Sequence, residues 1–138
     1  MAAGPPLTRL ALAAASVADD LGFVALADLR TALGDEAGDY RIIGGHMVTV
    51  LAARWQLGAG LYRETGDADL GVPPVVVRDR DLVGRLKTLG YRQVAGNRFA
   101  REVPDIPVRL AGGPAAGRDA IIDVLVPAYT SGPARTSR

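Results

Sequence analysis

Three aspartates in this chain stand where a carboxylate is hard to keep ionised. Asp67 and Asp69 lie one residue apart in "GLYRETGDADLGV", and Asp123 interrupts the apolar run "AIIDVLV". Residues two apart in a strand share a face, so Asp67 and Asp69 point the same way and repel each other unless a cation intervenes. Asp123 has Ile121 and Leu125 on its own face, and Ile122, Val124 and Val126 on the other. A strand apolar on both faces is normally buried, and a buried carboxylate neutralises, pairs or binds a cation. Together the three could clasp one or two hard cations through oxygen. The alternatives at this point are an ion pair between Asp123 and an arginine, and a solvated strand end or Asx turn at Asp67 and Asp69. Gly44-Gly45 adds a second feature. A strand runs into these glycines and a helix leaves them, so backbone N–H groups can approach a phosphate at the positive helix end. Simple tight packing of strand on helix explains the pair equally well.

The elements that must position these residues can be read from periodicity. Leu7, Leu10, Ala11, Ala14, Val17, Ala18 and Leu21 recur at helical spacing up to Gly22, and Phe23, Leu26, Leu29 and Leu33 repeat it up to Gly34. This predicts a pair of helices over residues 1–38. "RII" is a short strand before the glycines, and Met47, Val48, Leu51, Ala52 and Trp55 line one face of the helix after them. "DADLGV" alternates as a strand, with "PPVVV" extending or following it. Leu82, Val83, Leu86 and Leu89 predict a helix with Asp79 as its N-cap and Gly90 as its stop. "YRQVAGNRFAREV" reads as a hairpin around Gly96-Asn97, and "AIIDVLV" as the last strand. The expectation is an α+β domain over residues 1–128, with its core at 40–128. It holds a small mixed β-sheet with helices packed mainly on one side, and a flexible tail follows at 129–138.

Composition narrows the function classes. The chain has 138 residues, no cysteine, one histidine and a net charge of +1. Disulfides, thiolate metal sites and cysteine nucleophiles are excluded, and a reducing cytoplasm is the expected location. Near-neutral charge and the absence of an aromatic-basic motif argue against an RNA-binding module. No run approaches the length of a membrane span. The opening Ala-rich stretch has a poor basic region, and Asp19 and Asp20 fall where a signal cleavage site would be uncharged. The only lysine is Lys87, and arginine dominates the second half.

A strand ending in Gly-Gly, a helix, a D-x-D strand and a later single-Asp strand resemble the pattern of the nucleotidyltransferase (polymerase beta-like) superfamily. "IIGGHMVTVLAARW" with "RETGDADLGV" is similar to its AbiEii branch, which includes abortive-infection and MenT-type toxins. "NRFARE" resembles that branch's His-Arg-Phe strand, with Asn97 in place of histidine, and "IIDVLVP" its third-aspartate strand. The likeness spans roughly residues 40–128.

The resemblance implies a minimal nucleotidyltransferase fold that transfers a nucleoside monophosphate from an NTP to an acceptor, the tRNA 3′ end in the toxins. It implies that Asp67, Asp69 and Asp123 are catalytic and hold Mg2+, two ions in all, and that Gly44 and Gly45 hold triphosphate oxygens. Thr65 would lie beside the phosphates. Because Lys87 is on a helix rather than before the third aspartate, Arg98, Arg109 or Arg118 would serve as the phosphate clamp. A cognate antitoxin protein is an expected partner. The alternative is an inactive copy of the same fold that binds nucleotide or a protein without catalysis. His46, the sole histidine, is expected to pack rather than touch phosphate, with Trp55 in the core and Tyr62 a loop anchor.

Overall fold

The computed structural model describes residues 9–34, 40–57, 65–79, 81–106 and 119–127. Its elements in chain order are α1 (Val17–Leu33), β1 (Arg41–Ile43), α2 (Gly44–Arg54), β2 (Asp67–Gly71), α3 (Pro74–Asp79), α4 (Leu82–Thr88), β3 (Arg92–Gln93), β4 (Arg98–Glu102) and β5 (Asp119–Leu125). The strands form one open sheet in the order β1-β2-β5-β4-β3. β2 and β5 are parallel, whereas the pairs β1–β2, β4–β5 and β3–β4 are antiparallel. The α+β class and the mixed sheet are therefore as expected. The tail at 129–138, Tyr62, Arg109 and Arg118 lie outside the described residues.

Alternation divides each central strand between two environments. Ala68, Leu70, Phe99, Ala120, Ile122 and Val124 are buried on one face. They form a single apolar cluster with Leu21, Ala25 and Leu29 of α1, Val76 of α3 and Leu82 and Leu86 of α4. Each fully buried Leu, Ile or Phe there contributes about 2 kcal/mol of transfer free energy. Asp67, Asp69, Asp123 and Arg98 occupy the alternate positions and share the opposite face.

The predicted N-terminal helical pair is corrected to one helix. α1 begins at Val17, and residues 9–15 are not helical. Ser16 is its N-cap, with Oγ accepting from the Asp19 N–H at 3.1 Å, while Asp19 Oδ2 accepts from the Ala15 N–H at 3.0 Å. This reciprocal capping starts the helix one full turn before Gly22. Gly22 is not a stop but an interior residue serving close approach. A Cβ there would stand 2.5 Å from the Thr65 carbonyl oxygen and 2.7 Å from His46 Nε2. Gly34 does end the helix, at φ 71°.

Two further boundaries move. "PPVVV" is not strand: Pro74 opens α3, a position where its fixed φ and missing N–H suit a helix start. The α4 cap is Asp81 rather than Asp79, its side chain accepting from the Gly84 N–H at 3.2 Å. The expected apolar face of α2 is also not buried. Met47, Leu51 and Trp55 are exposed, Trp55 by 65%, and the buried residue of that helix is His46. Arg54 lies over the Trp55 ring at 5.5 Å.

Candidate functional site

Parallel pairing sets Asp69 directly opposite Asp123, and Asp67 lies one pleat further along the same face. On the other side of β5, antiparallel register sets Arg98 opposite Asp123. The three aspartates and Arg98 thus meet on neighbouring strands of one sheet face. Asp123 is the deepest, with its side chain 12% exposed against 43% for Asp67.

Arg98 lies between two of the carboxylates. Its Nε donates to Asp123 Oδ1 at 2.9 Å and its Nη2 to Asp123 Oδ2 at 2.8 Å, the two-pronged geometry that makes arginine–carboxylate pairs strong. Nη2 also reaches Asp67 Oδ2 at 3.2 Å. These hydrogen bonds, and then the charges of Asp123 and Asp67, raise the Arg98 pKa above its already high value. Asp69 is the member without an arginine contact. Burial first, then the charges of Asp123 and Asp67, push its pKa upward, and Arg98 only partly offsets them. Among the described residues three carboxylates face one guanidinium, so this cluster is net negative.

The glycine turn borders this cluster. Gly44 has φ +69°, in the left-handed region, and a Cβ on it would collide with the Asp69 carboxylate. Only glycine lets the chain enter α2 at that place. Gly45 faces Thr65: a Cβ there would collide with the hydroxyl and stand 2.8 Å from the methyl of that side chain. The Thr65 N–H donates to Asp19 Oδ1 at 3.4 Å. Gly44 and Gly45 therefore meet the segment that carries Thr65 and Asp69, two parts of the chain brought into one corner.

His46 follows the glycines but turns inward. It is 3% exposed, its ring lies 5.9 Å from that of Phe23, and its buried Nε2 has no hydrogen-bond partner among the described residues. Burial lowers its pKa, opposed by the charges of Asp19 and Asp67, so the ring stays neutral at physiological pH. This is the packing role expected of it. With Asp19, Phe23, Thr49 and Thr65 it lines a cavity of about 100 Å³.

Two functional features escaped the sequence. Asp19 is a buried anchor for the segment leading into β2, and its signal was the Ser-x-x-Asp spacing of a capping box. The second is a polar cluster on the helix-covered side. Asp28 Oδ2 accepts from Tyr91 Oη at 2.7 Å and from Arg101 Nη2 and Nε at 2.8 and 3.2 Å. Nothing local in the sequence marks that trio, whose members come from α1, the turn before β3, and β4.

The donor set suits a hard divalent cation: carboxylate oxygens with excess negative charge, one of them deep, and a guanidinium already serving as counter-cation. Among the described residues no three acidic or histidine side chains are gathered as a group that could hold a metal ion. No helix among the described residues is long and apolar enough to cross a membrane. Comparisons with protein-family models, with curated proteins and with solved structures return no match.

Proposed function

We propose that this chain is a magnesium-dependent nucleotidyltransferase that moves a nucleoside monophosphate from an NTP to a hydroxyl acceptor. The observation that carries the reading is the convergence of Asp67, Asp69 and Asp123 on one sheet face beside the Gly44 turn. The shared face supports the reading, although among the described residues the three side chains are not gathered as a group that could hold a metal ion.

In this reading Asp67, Asp69 and Asp123 hold the cations. When bound, two magnesium ions supply charge neutralisation at the entering and leaving oxygens. The chain's own part is positioning. Backbone N–H groups at Gly44 and Gly45 bind triphosphate oxygens at the start of α2. An Asp123 carboxylate oxygen takes the proton of the acceptor hydroxyl as its oxygen attacks the α-phosphorus. The bond from that phosphorus to the β-phosphate oxygen breaks, and pyrophosphate leaves. Alignment and electrostatics supply most of the rate in such transfers. The toxin-like context, with a tRNA 3′ end as acceptor and a cognate antitoxin, rests on the sequence resemblance.

A second reading is favoured by one specific contact. The Arg98 pairs with Asp123 and Asp67 satisfy two carboxylates without a metal ion, as a chain that binds nucleotide or protein without catalysis would permit. Incubation with each labelled NTP, magnesium and tRNA decides between them. The enzyme reading expects incorporation, lost in Asp69→Ala and Asp123→Ala. Nucleotide binding with no transfer to any acceptor selects the second reading, and absence of both binding and transfer makes the aspartates structural.

A further inference from the structure

We propose that the cavity between α1 and the first turn of α2 is a binding site for a small uncharged hydroxyl molecule, held between His46 Nε2 and the Thr65 carbonyl. The site is separate from the three aspartates and does not depend on the nucleotidyltransferase reading.

One buried atom calls for a ligand. His46 is nearly inaccessible, and its Nε2 has no hydrogen-bond partner among the described residues. Folded chains nearly always give a buried polar atom a partner, from the protein itself or from a bound molecule. Here the cavity that His46 lines can supply one. It measures about 100 Å³, and its walls include Asp19 and Phe23, which flank Gly22 along α1, and Thr65.

The geometry fits a bridge through one oxygen. A Cβ on Gly22 would stand 2.7 Å from His46 Nε2 and 2.5 Å from the Thr65 carbonyl oxygen. Both atoms therefore approach the same point, the place on α1 where a side chain is missing. Two hydrogen bonds of about 2.8 Å through a single oxygen span that separation. A water takes about 30 Å³ of the liquid, so the cavity has room for about three, or for a short alcohol.

The lining selects a hydroxyl. An anion would meet the buried Asp19 carboxylate. A cation would trade its hydration for the carbon walls of Leu12, Ala13 and Phe23. The Thr65 carbonyl only accepts, so a bridging group must donate to it, whereas Nε2 donates or accepts according to its tautomer. Water suits either tautomer, and an alcohol suits the one that carries a proton on Nε2. The bound molecule ties α1 to the start of α2 and to the segment entering β2, the two parts of the chain that meet at Gly45 and Thr65.

Water and small organic hydroxyls share this chemistry, and NMR separates them. His46 is the sole histidine, so its ring resonances are unambiguous. In wild type without additives, the His46 ring protons and a Gly22 Hα should show cross-peaks to a long-lived bound water. Titration with 2-propanol should shift the ring resonances saturably where the site accepts an organic hydroxyl, and should leave the water cross-peaks intact where it holds water alone. Acetone, of similar size but unable to donate to the carbonyl, should neither shift the ring nor displace the water. His46→Phe keeps a ring and removes the nitrogen, so the Gly22 cross-peak to water should be lost. Neither bound water nor a saturable 2-propanol shift in wild type overturns the proposal, however the variant folds. Displacement by acetone equal to that by 2-propanol, or an intact Gly22 cross-peak in folded His46→Phe, also overturns it.

Discussion

Arg98 and Arg101 lie three residues apart on β4 and therefore point to opposite faces of the sheet. Each grips an aspartate, yet the two clusters are built on different charge ratios. Arg101 pairs with Asp28 at 2.8 Å, and Tyr91 donates to the same carboxylate oxygen. One positive charge meets one negative charge, with a phenol completing the set and the guanidinium over the Tyr91 ring at 5.6 Å. Burial and then the Asp28 hydrogen bond raise the Tyr91 pKa, so the phenol keeps its proton. Arg98 instead pairs with two carboxylates, Asp123 and Asp67, while a third, Asp69, lies opposite Asp123 on the same face. The first cluster is closed and ties α1 to β4 and to the turn before β3. The second holds more carboxylates than guanidinium groups among the described residues.

The sharpest way to break this comparison is to remove the central carboxylate of the closed cluster. Asp28→Ala leaves Tyr91 Oη and the Arg101 guanidinium without their acceptor in a largely buried setting. We expect a loss of about 2 kcal/mol in urea unfolding, with no change in magnesium response. A loss below the error of the measurement would show that the clamp is not a clamp.

Gly44→Ala strikes the three-aspartate cluster from its border. The added Cβ meets the Asp69 carboxylate at a left-handed φ, so the turn or the aspartate must shift. A cost of about 1 to 2 kcal/mol follows from the backbone conformation alone. The same variant should lose magnesium binding, whereas Asp28→Ala should keep it.

Magnesium itself separates the clusters. By mass action it should stabilise wild type by about 1.4 kcal/mol at ten times its Kd, read as a rise in Tm. Asp67→Asn and Asp123→Asn should lose that rise. A midpoint unchanged by millimolar magnesium in wild type would leave the three-aspartate cluster without its ligand.

The smallest effect concerns the sign of a single charge. Asp69→Asn removes a repelled carboxylate, so the metal-free variant should be more stable than wild type at neutral pH. Because the folded pKa of Asp69 is raised, the folded state binds that proton more tightly than the unfolded chain does. Wild type therefore gains stability from this group as pH falls through the raised value, and the gain is complete below the unfolded value of about 3.9. The advantage of Asp69→Asn should shrink over that window. Thermal melts of both proteins across acid pH read the difference, and an advantage that grew toward low pH would contradict the electrostatic assignment.

Much of the fold was legible because local patterns carry it. Alternation placed Asp67 and Asp69 on one face of β2 and put Asp123 in a strand apolar on both sides. Gly34 and Gly90 marked helix ends, and Gly96-Asn97 marked the hairpin. The failures came where tertiary contact overrode local pattern. Gly22 looked like a stop, but it is an interior residue whose missing Cβ makes room for the Thr65 carbonyl and the His46 ring. The apolar stripe of α2 followed helical periodicity yet is exposed at Met47, Leu51 and Trp55, because periodicity says which residues share a face and not what covers it.

The sequence by itself determined which residues could carry charge chemistry and which strand face each would share, since pleat and spacing are properties of a few neighbouring residues. Only the tertiary structure decided that β2 and β5 lie side by side and parallel, bringing Asp69 against Asp123, and that Arg98 rather than Arg101 lies among the aspartates. Both arginines belong to "NRFARE" and are alike as residues. Strand order and register assign one to a balanced pair and the other to a surplus of negative charge, and those are contacts between segments far apart along the chain.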